Sequence, residues 1–239
     1  MQQRTSSSNW PYCDSTYPDA FSGERDSCGV GFIANVEGKQ NNWILSQALR
    51  GLSCMEHRGG CGGDSDSGDG AGILCEIPWS YIKKVWDRAE ICEPKSSGIG
   101  MIFMPQDAKN RLTARKICEQ EAESLGVCTI GWRDVPVNQE VLGKLARENA
   151  PFITQWIVTI KEKDIDIEAL LFRLKQRISN RANKELKEDE LGLYICSLSS
   201  KTIVYKGMVR SEILAPFYND LKDERFEVSF AVYHRRFST

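Results

Sequence analysis

The sequence of 239 residues has no apolar run long enough to span a bilayer, which argues against a membrane-spanning role. It also lacks an excess of either charge. Lys and Arg number 31 against 33 Asp and Glu, and the basic residues are scattered. That balance gives no footing for nucleic acid or an anionic membrane as a partner. The first 27 residues, MQQRTSSSNWPYCDSTYPDAFSGERDS, lack the apolar stretch of a secretory signal and carry too many acids for a typical transit peptide. Nine cysteines are present, yet no Cys-x-x-Cys pair occurs among them. An odd, dispersed set with no export signal reads as free thiols in a reducing compartment, so the expectation is a cytosolic protein.

What remains is ordinary globular composition, 41% hydrophobic and 27% charged, enough for one large domain or two small ones. Apolar runs predict strands over 29–36, 73–77, 98–104, 127–132 and 152–160. Helical spacing predicts helices over 42–56, 78–89, 107–125, 138–148 and 166–187. The last third predicts strands over 191–199 and 202–208 in hairpin order, a helix over 211–221 and a strand over 225–233. Mixed elements with a hairpin pair make the class α+β with stacked layers.

The stretch RGGCGGDSDSGDGAG, residues 58–72, with the residues just before it, invites four readings, and three fail on chemistry. A phosphate loop needs Lys and Ser or Thr after its last Gly, and Gly70-Ala71-Gly72-Ile73 has neither. A calcium loop begun at Asp64 puts Asp69 where Gly is required and Cys75 where the bidentate Glu belongs. Cys54, His57 and Cys61 lack a fourth ligand for a zinc site. A glycine loop packed between elements is the reading left.

Cys28 stands apart because it closes a polar leader and opens an apolar strand. Most cysteines in such places are small buried hydrophobes. If the chain began at Cys28, however, its own α-amine, with a pKa of about 7.7–8.0, would lie beside the sulfur. That amine could serve as general base, whereas the peptide nitrogen of the unprocessed chain cannot take a proton. Residues 1–27 would then be an inhibitory pro-segment, and 28–239 the working domain.

Four blocks occur in order: Cys28-Gly29-Val30-Gly31-Phe32-Ile33-Ala34-Asn35, Met55-Glu56-His57-Arg58-Gly59-Gly60-Cys61, Ser67-Gly68-Asp69-Gly70-Ala71-Gly72-Ile73-Leu74, and Tyr233-His234-Arg235-Arg236-Phe237-Ser238-Thr239. Together they resemble the class II glutamine amidotransferase domain of glutamate synthase, in its large ferredoxin-dependent form. The resemblance implies a four-layer αββα N-terminal-nucleophile hydrolase fold, here incomplete at its C-terminal side. It implies Cys28 as the catalytic nucleophile. It also implies Arg236 as the holder of the glutamine α-carboxylate, with Phe237 and Thr239 assigned to the same pocket. Ammonia would pass to a flavin domain carrying FMN and an iron–sulfur cluster, with ferredoxin as electron donor. None of those cofactors would bind in this chain. A plastid-bearing organism would place the protein in the stroma. Two departures stand out. The family's oxyanion-hole Asn-Gly pair is absent from these residues, and Arg235 occupies a place where Gln is common. A non-catalytic remnant or another N-terminal-Cys amidotransferase are the alternatives.

Overall fold

The computed structural model describes residues 29–56, 66–86, 95–162, 164–186 and 192–236. Cys28, His57, Cys61, Phe237 and Thr239 lie outside them, as does the leader.

The middle of the chain forms one continuous unit. It runs β3 (Ser97–Met104), α3 (Ala108–Ser124), β4 (Val127–Asp134), β5 (Phe152–Ile160), α5 (Ile167–Glu185) and β6 (Tyr194–Ser199). The sheet order β4-β5-β3-β6 is fully antiparallel, which is the split βαβ arrangement. Period-two alternation decides the faces. Thr154, Trp156 and Val158 of β5 look toward α3 and α5, while Ile153, Gln155 and Ile157 look the other way. The helices return Ala114, Ile117, Cys118 and Ala122 from α3, and Leu171, Leu174, Ile178 and Ala182 from α5. Burying each large aliphatic side chain contributes roughly 1.5–3 kcal/mol. Asp107 and Asp166 cap the two helices by accepting from the N–H of Asn110 and Ala169.

The second sheet is assembled from the ends of the chain. Its order is β1 (Gly29–Ala34), β8 (Phe230–Arg235), β2 (Ala71–Glu76) and β7 (Thr202–Gly207), all antiparallel. One register row reads Gly31, Tyr233, Ile73, Tyr205. Tyr233 meets α1 (Asn42–Cys54) at Gly51, and a Cβ placed on Gly31 or Gly51 would sit 2.5 Å from Tyr233. Glycine at both positions therefore lets β1 and α1 close on the ring. At the other end of the row, Tyr205 accepts a hydrogen bond from Gln155 of β5 at 3.0 Å. Hence α1 and the middle unit share one face of this sheet. On the opposite face Val30 is 63% and Phe32 77% exposed.

A buried ion pair ties the two parts together. Arg133 donates to Asp220 through both terminal nitrogens, at 2.9 and 2.7 Å, and also to Gln155 at 2.8 Å. Tyr81 and Tyr205 donate to the same carboxylate at 2.8 and 3.0 Å. Tyr81 comes from α2 (Trp79–Val85) and Asp220 from a 3-10 turn at Asn219–Lys222.

The chain is thus a mixed α and β domain with two unclosed sheets, consistent with an incomplete four-layer arrangement. Three local expectations need correction. The strands predicted over 191–199 and 202–208 do not pair as a hairpin, because β6 joins one sheet and β7 the other. The helix predicted over 138–148 is a 3-10 turn, Gln139–Val141, and a short α4, Lys144–Glu148, with Gly143 as the N-cap of the latter. The helix predicted over 211–221 breaks into a 3-10 turn at Ser211–Ile213, α6 (Leu214–Phe217) and the Asn219–Lys222 turn, since Pro216 offers no N–H to a continuous helix.

Candidate active site

The end of β8 is where charge concentrates. Arg235 alternates onto the buried face with Tyr233 and Ala231, and its side chain is fully buried. Its Nη1 donates to Asp69 Oδ1 at 2.6 Å and to the Gly70 carbonyl at 2.8 Å; its Nη2 donates to Glu56 Oε1 at 3.3 Å. A buried guanidinium needs such compensation, because an unpaired charge in the interior is costly. Glu56 also accepts from Arg210 Nε at 3.1 Å and from the Ser211 N–H at 3.0 Å. Burial pushes the Glu56 carboxyl upward, but these hydrogen bonds and the Arg235 charge outweigh it and hold the group below the usual range. A depressed carboxylate contributes stability that is present above its unfolded pKa and fades as the pH falls through its folded one. The ties that Glu56 makes to Arg235, Arg210 and Ser211 should therefore loosen only in acid.

Arg236 follows directly after β8. Its backbone is left-handed, with φ 84°, and its N–H donates to the Gly70 carbonyl at 2.7 Å. Its Nε donates to Asp69 Oδ2 at 2.7 Å. Asp69 sits in the glycine loop predicted to pack between elements, and Gly70 there takes φ 126°. The β1–β8 ladder pairs Gly29 with Arg235, and the β2–β8 ladder pairs Ala71 with the same residue. All four sequence blocks thus converge on one strand end, the second through Glu56. Of the residues assigned from sequence, Arg236 lies at this point, while Cys28, Phe237 and Thr239 fall outside the described residues.

Beside Asp69 opens a cavity of about 720 Å³, walled mainly by Phe103, Leu142, Leu145, Ile153, Val209 and Phe217. Lys206 lines it and donates to the Tyr194 hydroxyl at 2.6 Å. His234 points to the other face, over Gly72, and burial followed by the Lys206 charge pushes its pKa down. It is a neutral packing group at physiological pH.

The described cysteines divide clearly. Burial pushes the thiols of Cys75 and Cys118 far up, and that of Cys196 up to about 12. Such thiols stay protonated and are poor nucleophiles. Cys54 is exposed. Among the described residues no three His, Cys, Asp or Glu side chains gather closely enough to hold a metal ion. No helix is long and apolar enough to cross a membrane among those residues.

Reading the sequence alone assigned no role to Asp69, Glu56 or Arg210. The first two lie in blocks that carried the resemblance, which was the available signal; Arg210 gave none. Arg235, which stands where Gln is common, is a buried strut.

Residues 28–239 match the family described as glutamine amidotransferases class-II. The chain is 47% identical over 221 residues to ferredoxin-dependent glutamate synthase 1, chloroplastic/mitochondrial, of Arabidopsis thaliana, a match covering 90% of this chain and 13% of that protein. It is 46% identical over 220 residues to ferredoxin-dependent glutamate synthase 2 of Synechocystis sp., covering 90% of this chain and 14% of the relative. The spinach chloroplastic enzyme is 45% identical over 221 residues, with 90% and 13% covered. The chain therefore spans about one-seventh of the length of these relatives. With the match beginning at Cys28, the chain belongs to the class II glutamine amidotransferases, as a domain homologous to that of ferredoxin-dependent glutamate synthase.

Proposed function

We propose that residues 28–239 form the glutamine-hydrolysing part of a glutamate synthase, with Cys28 as its nucleophile after removal of residues 1–27. The observation that carries this is the start of the family match at Cys28 itself. The α-amine of Cys28 takes the thiol proton, and the thiolate attacks the side-chain amide carbon of glutamine. Collapse of the tetrahedral adduct expels the amide nitrogen as ammonia, which carries off a proton. Water then cleaves the glutamyl thioester, releasing glutamate and restoring the thiol. Arg236 binds the α-carboxylate, and Phe237 and Thr239 line the same pocket. In the four-layer αββα N-terminal-nucleophile fold that the family membership supports, the apolar face carrying Val30 and Phe32 is an inner face.

In this reading ammonia would pass to a flavin domain outside residues 28–239, where FMN and an iron–sulfur cluster would supply electrons from ferredoxin for making glutamate from 2-oxoglutarate. The cytosol, or the stroma in a plastid-bearing organism, is the matching compartment; three relatives are named as chloroplastic and one as chloroplastic/mitochondrial.

Active full-length enzyme carrying this segment should have Cys28 as its N-terminal residue by sequencing. A glutamine analogue with an electrophilic side chain should label that cysteine alone. Exposed Cys54 is the internal control. Label on Cys54, or residues 1–27 retained on fully active protein, would overturn the assignment. Arg236→Ala is expected to raise the KM for glutamine roughly tenfold or more, since a charge-assisted bond contributes about 1.5–3 kcal/mol. An unchanged KM would make Arg236 a structural charge only.

A further inference from the structure

A single carboxylate holds two consecutive arginines. Asp69 Oδ1 is tied to Arg235, which the Gly70 carbonyl and Glu56 also fix. The carboxylate cannot drift without uncovering a fully buried charge. Its second oxygen, Oδ2, is thereby held in place to receive Nε of Arg236 at 2.7 Å. The backbone adds a second constraint. Arg236 adopts φ 84°, a strained choice for a residue with a Cβ, and the bond from its N–H to Gly70 keeps it there. Loop and strand end thus fix both the Cα and the guanidinium of this residue.

We propose that Asp69 is the positioning residue for Arg236: by engaging Nε it fixes the guanidinium in the orientation that meets the α-carboxylate of glutamine. Asp69 itself touches no substrate and acts through Arg236. The inference rests on the proposed role of Arg236 and adds how that role is enforced.

Steady-state kinetics of the full-length enzyme test it with three variants beside Arg236→Ala. Asp69→Asn is expected to raise the KM for glutamine roughly tenfold with kcat within about twofold, the pattern of lost binding rather than lost chemistry. Preference for glutamine over its α-carboxamide analogue should fall by a similar factor. Glu56→Gln removes the other counter-charge of Arg235 without touching Arg236. It should lower the melting temperature and leave KM within about twofold. Asp69→Glu keeps a charge beside Arg235 but displaces it by one methylene, so KM should rise while folding is retained. That variant decides the matter if Asp69→Asn fails to fold. An unchanged KM in Asp69→Glu, or equal KM effects from Asp69→Asn and Glu56→Gln, would overturn the positioning role. A raised KM in Arg236→Ala with none in Asp69→Asn would overturn it too, while leaving the Arg236 assignment standing. No effect in Arg236→Ala would instead remove the assignment beneath it.

Discussion

Replacing Cys28 by serine should lower glutamine-dependent turnover on the order of 10⁴-fold or more, the scale of losing a nucleophile from a concerted catalytic set. The substitution exchanges one atom, sulfur for oxygen, so a fold effect is not the source. A thiol with a pKa of ~8.5 passes its proton readily to an adjacent amine of nearly equal basicity. A serine hydroxyl is a far weaker acid and gains little from the same amine. The thiols of Cys75, Cys118 and Cys196 cannot substitute, because they are held protonated. Synthesis from added ammonia bypasses this step and should be spared. Both activities are measured on the same full-length preparation. Retention of more than a few per cent of glutamine-dependent turnover would remove Cys28 from the mechanism. Equal loss of both activities would point to a damaged protein.

The second large effect concerns stability. Asp220→Ala should destabilise the protein by roughly 3–5 kcal/mol, the cost of leaving a buried charge without its partner. Asp220 is completely buried and accepts two hydrogen bonds from Arg133 and one each from Tyr81 and Tyr205. Removing the carboxylate strands a guanidinium and two hydroxyls at once. Burial and then the charge of Asp220 push the Tyr205 phenol far up, so its proton stays in place to donate. Replacing both charged partners, with Arg133→Met and Asp220→Leu together, should recover a large part of the loss, since an apolar pair leaves no uncompensated charge. Urea unfolding of the single and double variants measures the coupling. A cost below about 1 kcal/mol for Asp220→Ala would show that water reaches the cluster.

Several elements were legible because their signals are local. The run FITQWIVTI predicts a strand over 152–160, and β5 is Phe152–Ile160. Helical spacing over 107–125 and 166–187 likewise finds α3 and α5, whose Asp caps fix their starts. Pairing was not legible. The sequence around Ser200 and Lys201 reads as a two-residue turn between strands. Glu168, far away in sequence, accepts hydrogen bonds from Ser199 and from the N–H of Ser200 at this turn. Ser199 Oγ accepts the N–H of Lys201 and Thr202, and the chain leaves one sheet for the other. Alternation tells which face a residue takes, not which sheet its strand joins. The strand predicted over 225–233 was displaced for a similar reason. Val228 forms an isolated bridge with Asn41, and the ladder begins only at Phe230.

The candidate site divides the same way. Cys28 stands out through its neighbours in sequence, a polar leader and an apolar strand. The cluster around Asp69 does not, because its partners are separated by 166 and 167 positions. A charge in a sequence carries no mark of which opposite charge will meet it. Only the antiparallel placement of β8 between β1 and β2 brings those blocks together.

That placement has a consequence for synthesis. The middle unit is continuous in sequence and can fold as soon as β6 has left the ribosome. Among the described residues β1 is made first, yet its sole ladder partner there, β8, is the last of their strands. At about 5–20 residues per second, β1 waits roughly ten to forty seconds for that partner. Such distant pairings are slow to close, because the intervening loop must be ordered before any contact offsets it. Over that interval Val30 and Phe32 have no sheet around them. The end of β8 bearing Arg235 and Arg236 reaches Asp69 only when this closure occurs, so the charge cluster is among the last features of the described chain to form.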